Sequence, residues 1–247
     1  METNVPDQSN YVAAERARII AESERREREI DPDLYAPWQP AMSLMAASRR
    51  RIAARALKDL GAFPRSGQRC LEVGFGSLGW LGDLIGWGVR ETDLYGLELN
   101  PSRVRSARYA LPGANLCIGD ASALPWPENY FSLVVASTVF TSILDSRVRR
   151  GVANEITRVL VPKGALLWYD FAVNNPANPN VRAVKSRELK RLFPDMSGRI
   201  FSCTLAPPVA RFVTPRSWVL ATMLEGIPLF RSHLLAVFIK KASQEFQ

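Results

Sequence analysis

The residues best suited to chemistry begin at Cys70-Leu71-Glu72-Val73-Gly74-Phe75-Gly76-Ser77-Leu78-Gly79, an apolar strand that ends on an acid and runs into glycines before a helix. Glycine lets the chain turn sharply and lets a ligand approach the backbone, while the first N–H groups of the following helix are unpaired donors. Glu98 closes a second apolar strand, and Asp120 lies in the Gly119-Asp120-Ala121 loop after a third. Carboxylates at strand ends accept hydrogen bonds from ligand hydroxyl and amino groups. Two ligand chemistries meet this set. Gly74-x-Gly76-x-x-Gly79 with Glu98 satisfies the dinucleotide fingerprint, in which the acid binds a ribose and the enzyme would be an NAD-dependent oxidoreductase. Glu72 at the strand end would repel a pyrophosphate, and suits a ligand that carries an ammonium group.

Groups able to move a proton are few. His233 is the single histidine and stands in Arg231-Ser232-His233-Leu234, at the start of the last strand, and Asp170 ends the fifth strand. Either could serve as a base; a histidine satisfied at a strand end and a turn-capping carboxylate are the structural alternatives. Tyr35 and Trp38, with Tyr11 nearby, precede the core in a proline-punctuated loop that would serve as a lid or as packing for the N-terminal helices. One histidine and scattered carboxylates show no metal-ligand spacing, so no metal is expected. Cys70, Cys117 and Cys203 are odd in number and far apart, which fits reduced thiols and not a disulfide framework or zinc knuckle.

The elements that must position these groups alternate in type. A charged helix over Ala13–Glu29, with a mostly solvated face, and a second over Met42–Leu60 precede the first strand, Arg69–Val73. A helix from Trp80, strand Asp93–Leu97, helix Pro101–Ala110, and strands Asn115–Ile118 and Phe131–Ala136 follow. Helix Arg147–Leu160, turn Pro162-Lys163-Gly164 and strand Ala165–Tyr169 complete a βαβ rhythm whose short apolar strands imply a parallel sheet covered on both faces. After Asp170 the pattern lapses into a turn-rich loop, Asn174–Asn180, and a basic helix, Val181–Phe193; Ser217–Glu225 reads as a helix, and Ile200–Thr204 and Leu234–Ile239 as strands, the last with an antiparallel partner at a sheet edge.

The ordered motifs of residues 70–170 resemble the class I S-adenosylmethionine-dependent methyltransferases, in the small-molecule, type 11-like group. Beside the strand–acid–glycine opening, Leu124-Pro125-Trp126-Pro127-Glu128-Asn129-Tyr130-Phe131-Ser132-Leu133-Val134 is similar to that family's LPFxDxSFDxV stretch. Glu155-Ile156-x-Arg158-Val159-Leu160-x-Pro162-Lys163-Gly164 is similar to its ExxRVLxPGG. The resemblance implies an α/β, Rossmann-like doubly wound, mainly parallel seven-stranded sheet with an antiparallel last strand, plus N-terminal helices. Residues 1–60 would form a helical lid or cap and 61–247 the methyltransferase domain, with 171–232 as an acceptor-site excursion. S-adenosyl-L-methionine is the implied cofactor, held by Glu72, Gly74, Phe75, Gly76, Glu98, Leu99, Asp120, Ala121 and Ser137. Glu98 would grip the ribose hydroxyls and Asp120 the adenine amino group. Asp170 and His233 are the candidate catalytic residues. The chain departs from the family in the extra Leu78 before Gly79, in Ser132 and in Lys163.

The reaction expected is methyl transfer to a small-molecule or glycan-type acceptor, with O-methylation favoured; a nucleic-acid methyltransferase and a non-catalytic cofactor-binding scaffold are the other classes. Base-amino methylases carry an Asn/Asp-Pro-Pro-aromatic motif where this chain has Ser137-Thr138-Val139-Phe140, which makes nucleic acid the weaker partner. The 247 residues carry a net charge of +8, and residues 171–247 hold 11 basic against 4 acidic residues. An anionic acceptor, or a basic solvated face, follows from that excess. Phe131–Leu144 is too short to span a bilayer, and the polar, acidic start of the chain lacks a secretory apolar core, so the cytoplasm is the expected location.

Overall fold

The computed structural model describes residues 8–176 and 178–242. The first seven residues, on which much of the reading of the chain's start rests, lie outside them, as does residue 177 in the turn-rich loop.

Seven strands form one sheet: β1 (Cys70–Val73), β2 (Leu94–Glu98), β3 (Asn115–Ile118), β4 (Phe131–Ser137), β5 (Leu160–Phe171), β6 (Met196–Leu205) and β7 (Arg231–Lys240), in the order β3-β2-β1-β4-β5-β7-β6. β1 pairs in parallel with β2 and β4, β2 with β3 and β4 with β5, whereas β7 runs antiparallel to both β5 and β6. The antiparallel last strand is as expected, but it is interior and β6 is the edge. β7 is apolar on both faces, from Leu235 to Phe238, and that composition belongs between two neighbours. β5 is also longer than its apolar run. Val161–Gly164 bulges out of register with β4, with Lys163 at φ 63°, and the strand absorbs what the sequence presents as a separate turn.

Alternation along the strands divides the core in two. Leu71, Val73, Val134, Leu166, Trp168 and Phe238 face α5 (Ser146–Val159) and α6 (Ser186–Leu192). Cys70, Leu133, Val135, Leu167, Tyr169 and Leu235 face α2 (Pro40–Asp59), α3 (Leu81–Gly86) and α4 (Pro101–Ala110). The helices start where their sequences provide caps: Asn100 Oδ1 accepts from Ser102 N at 2.9 Å, and Asp145 Oδ1 from Arg147 N at 2.7 Å.

The basic helix read over Val181–Phe193 shortens to α6, and a further helix, α7 (Pro207–Val213), precedes α8 (Trp218–Gly226) in the β6–β7 crossover. Arg149, fully buried on α5, donates to the carbonyls of Ile143 and Arg182 and pairs with Glu188 on α6 at 2.8 Å, so one guanidinium secures the chain after β5.

The long charged helix α1 (Gln8–Glu29) is not the solvated element its sequence implies. Glu15 accepts from the N–H groups of Leu144 and Asp145, Glu22 from Asn180 Nδ2 at 2.8 Å, and Glu27 from Asn100 Nδ2 at 3.2 Å while pairing with Arg103 at 2.9 Å. Those partners follow β4, β5 and β2, so α1 lies across the loops at the carboxyl ends of the parallel strands.

Candidate functional site

Three adjacent strands, β1, β2 and β3, end side by side and deliver their loops to one place. Gly74 N–H donates to Leu97 O at 2.7 Å, Gly119 N–H to Glu98 O at 3.0 Å and Gly76 N–H to Glu98 Oε2 at 2.9 Å, tying the three loops together. Gly74, Gly76 and Gly79 all have positive φ, and so does Leu78 at 73°, the extra residue of the loop. A side chain at Gly74 would strike Val139 at 2.8 Å, whereas one at Gly76 would meet no atom within 4 Å, which leaves the backbone there open to a ligand. A cavity of about 240 Å³ lies between this loop and α4, lined by Gly76, Ser77, Leu78, Ser102 and Arg103 and bounded by Glu27 of α1.

Glu98 spends one oxygen on Gly76 N–H and the other on Asn100 N–H at 3.0 Å. A carboxylate has about four acceptor positions, so two remain, the number a ribose diol needs. Asp120 folds Oδ1 back onto the N–H and hydroxyl of Ser122, both at 2.8 Å, an arrangement that holds its other oxygen ready as an acceptor beside the Glu98 loop. Leu99 and Ala121 are half-buried next to these acids. These features fit the adenosine part of S-adenosylmethionine: an open glycine backbone, spare carboxylate lone pairs and a half-buried apolar wall.

Other expected residues stand elsewhere. Glu72 is fully buried; its Oε2 accepts from the N–H groups of Trp80 and Leu81 at 2.7 and 3.0 Å, and a side chain at Gly79 would come 2.1 Å from its Oε1. The carboxyl therefore sits beneath the glycine loop as its brace, and burial raises its pKa well above the usual carboxylate range. The Phe75 ring is buried against Gly96, so only its backbone is available to a ligand. Ser137 is half-buried at the end of β4, and its carbonyl accepts from the Thr138 hydroxyl at 2.7 Å.

Asp170 and His233 do not come together. Asp170 points to the α5 side of the sheet, where it accepts from Thr141 N at 3.1 Å, from the Thr141 hydroxyl and from Phe171 N at 3.0 Å; burial pushes its pKa up to about 6. His233 is on the opposite face, stacked 4.8 Å from the Tyr169 ring and 4.0 Å from Phe171, with Nδ1 on the Ser232 hydroxyl at 2.9 Å. Burial, aided by the nearby positive charge of Arg49, lowers its pKa to about 3, so the imidazole is neutral at ordinary pH. Two of the basic residues after Asp170 are held elsewhere than at these loops: Arg182 pairs with Glu188 at 2.7 Å, while Arg231 bonds the carbonyls of Glu225, Gly226 and Ser202.

The cation that does reach this region is Arg49 of α2. Its guanidinium lies 4.8 Å from the Trp80 ring and 5.8 Å from that of Tyr169, close enough to oppose part of the burial-driven rise in the Glu72 pKa, and its Nε is buried without a partner among the described residues. In the sequence it is hidden in the run Arg49-Arg50-Arg51. The signal was its spacing: Met45, Arg49, Ala53 and Ala56 fall on one helical stripe whose other members are apolar.

Comparison with known proteins finds relatives for part of the chain. Residues 71–168 match the family described as "Methyltransferase domain". A phthiotriol/phenolphthiotriol dimycocerosates methyltransferase of Mycobacterium leprae is 31% identical over 134 residues, 50% of this chain and 48% of the relative. The ubiquinone/menaquinone biosynthesis C-methyltransferase UbiE of Neisseria gonorrhoeae is 29% identical over 116 residues, 44% of each. The chain thus spans about half the length of the curated relatives it matches. Among solved structures, a putative sarcosine dimethylglycine methyltransferase from Galdieria sulphuraria superposes with TM-score 0.61 at 15% identity, covering 78% of this chain and 85% of that one, a likeness of fold. Residues 71–168 are thus similar to a methyltransferase domain, and the dinucleotide reading of the glycines gives way.

Proposed function

We propose that this chain transfers the methyl group of S-adenosylmethionine to the oxygen of a small acceptor that binds as an anion, such as a phenol or an enol. When bound, the cofactor supplies an electrophilic methyl carbon. Gly76, Glu98 and Asp120 would hold its adenosine part, and α1, with the residues that follow it up to 60, would cover the site and exclude water. An in-line displacement requires chiefly that acceptor and methyl carbon be aligned, and, for a hydroxyl, that its proton be gone.

The observation that carries the reading is Arg49. Asp170 is occupied by three donors and His233 is enclosed by aromatic rings, so neither is placed to take a proton from an unactivated sugar alcohol. Arg49 offers instead a partly desolvated cation with a spare N–H, beside two aromatic faces. Such a group favours the ionised form of an acidic hydroxyl and holds it in place. This supports an anionic acceptor and moves the expectation away from neutral glycans. Carbon is the second reading: an enolate is also nucleophilic at carbon, and one relative is named as a C-methyltransferase.

The test pairs calorimetry with turnover. Glu98→Ala is expected to weaken S-adenosylhomocysteine binding by about tenfold or more, the value of one or two charge-assisted hydrogen bonds. Arg49→Ala is expected to keep that binding and lose methylation of phenols and enols, with partial recovery in Arg49→Lys. Equal turnover of neutral alcohols, or loss of S-adenosylhomocysteine binding in Arg49→Ala, would overturn the assignment of Arg49. Mass spectrometry of the product separates oxygen from carbon.

A further inference from the structure

The β6–β7 crossover ends the molecule with a surface that no other described part of the chain covers. α8 turns Val219 and Met223 outward with Trp218 at their flank; Phe212 of α7 precedes them and Leu229 follows, Met223 being 66% and Leu229 87% exposed. This face of α8 has no charged residue, because the helix's one carboxylate, Glu225, is on the buried side. A surface helix of a folded monomer ordinarily turns polar residues outward. Nor is this an unfinished core: Ala221 and Leu224 already pack with Ala210 of α7, with Leu205 and with Ala41, Leu44 and Met45 of α2.

Within the crossover itself the exposed charge has one sign. Arg211, Arg216 and Arg231 border the crossover, and between Met196 and Gln244 the only carboxylate is the buried Glu225. Arg216 donates to Phe212 O at 2.6 Å and Arg231 to Glu225 O at 2.6 Å, bonds that fix the guanidinium groups without neutralising them. Trp38, 70% exposed, stands just before α2, whose first turns pack on α7 and α8. Tyr35 of the same loop lies 5.6 Å from the Arg211 guanidinium.

We propose that this face seats on an anionic lipid bilayer. Apolar side chains on one helix face, indole rings beside them and arginines around them match an element lying in the plane of a membrane interface, its apolar groups in the acyl boundary and its cations at the headgroups. A second copy of this chain on the same patch would bring arginines against arginines, a repulsion that lipid phosphates replace with attraction. The face belongs to the connection leaving the carboxyl end of β6, the edge of the sheet at which the cofactor loops lie. The proposal holds whichever acceptor is methylated.

Co-sedimentation of the full chain with vesicles tests it. The protein is expected to partition onto phosphatidylcholine vesicles containing phosphatidylglycerol, weakly onto phosphatidylcholine alone, and less at high salt. The double variant Val219→Glu, Met223→Glu is expected to lower partitioning by about tenfold or more while S-adenosylhomocysteine binding and melting temperature persist. Leu229→Glu, at a side chain almost free of packing, should act in the same direction and guards against misfolding of the double variant. Absence of partitioning at low salt, or equal partitioning onto neutral vesicles, would overturn the proposal. So would a wild-type dimer in sedimentation velocity that the double variant dissolves while vesicles bind neither protein, since the face would then join two copies.

Discussion

The His233 imidazole is enclosed by Tyr169 and Phe171 at 4% exposure, so charging it places a cation in apolar surroundings already under the field of Arg49. An unfolded chain has no such penalty and takes up the proton near pH 6.5. Stability is therefore lost as pH falls from about 6.5 towards about 3, at up to about 1.4 kcal/mol per pH unit from this group. Asp170 acts in the other direction: its folded pKa of about 6 is above the unfolded value, so the fold gains stability as pH drops through 6 towards 4. His233→Gln is expected to leave Asp170's contribution alone, and chemical denaturation should then show a variant that loses less stability than wild type between pH 6.5 and 4. At this scale the sequence was readable where chemistry sits on consecutive residues. Glu98 ends β2, and Gly76 and Asp120 lie in the loops that follow β1 and β3. Glu72, Asp170 and His233 were legible in position but not in role, because burial and the face of the sheet decide what a strand-end acid or imidazole can reach.

Among the elements, the parallel strands and their helices follow from apolar runs and caps that the chain displays openly. α1 does not, since alternating charges look the same whether they meet water or the loops of the same protein. α5 shows a related effect. Arg149 reads as part of a basic run, yet it is buried and bonds three groups after β4 and β5. Arg149→Met, which keeps the volume and removes the donors, is expected to cost about 3 kcal/mol in denaturant unfolding, because the carbonyls of Ile143 and Arg182 lose a partner inside the protein. Hydrogen exchange should locate the loosening at residues 182–185. The Glu155–Arg158 pair works alike at lower burial: Glu155 accepts from Leu124 N at 2.7 Å, and Arg158 donates to the carbonyls of Leu124 and Trp126. The motif thus holds the loop between β3 and β4.

In the whole molecule, sheet type and the antiparallel last strand were legible, but the place of β7 between β5 and β6 depends on long-range pairing that periodicity does not encode. The charge asymmetry of the last third was visible in the sequence; its arrangement around an uncharged helix face became visible only in the fold. α1 has a consequence on a different axis, that of time. It is bonded to the loops following β4, β5 and β2, so with the cofactor placed as proposed its departure would part several of these contacts together. Seating of α1 and occupancy of the site then favour each other by the same factor, and S-adenosylhomocysteine should slow tryptic cleavage at Arg16 to Arg28. Glu15→Gln with Glu22→Gln should undo that protection. Departure of the spent cofactor is then expected to be the slow event of each cycle, and rapid mixing should record a burst of one methylated product per chain before the steady rate sets in.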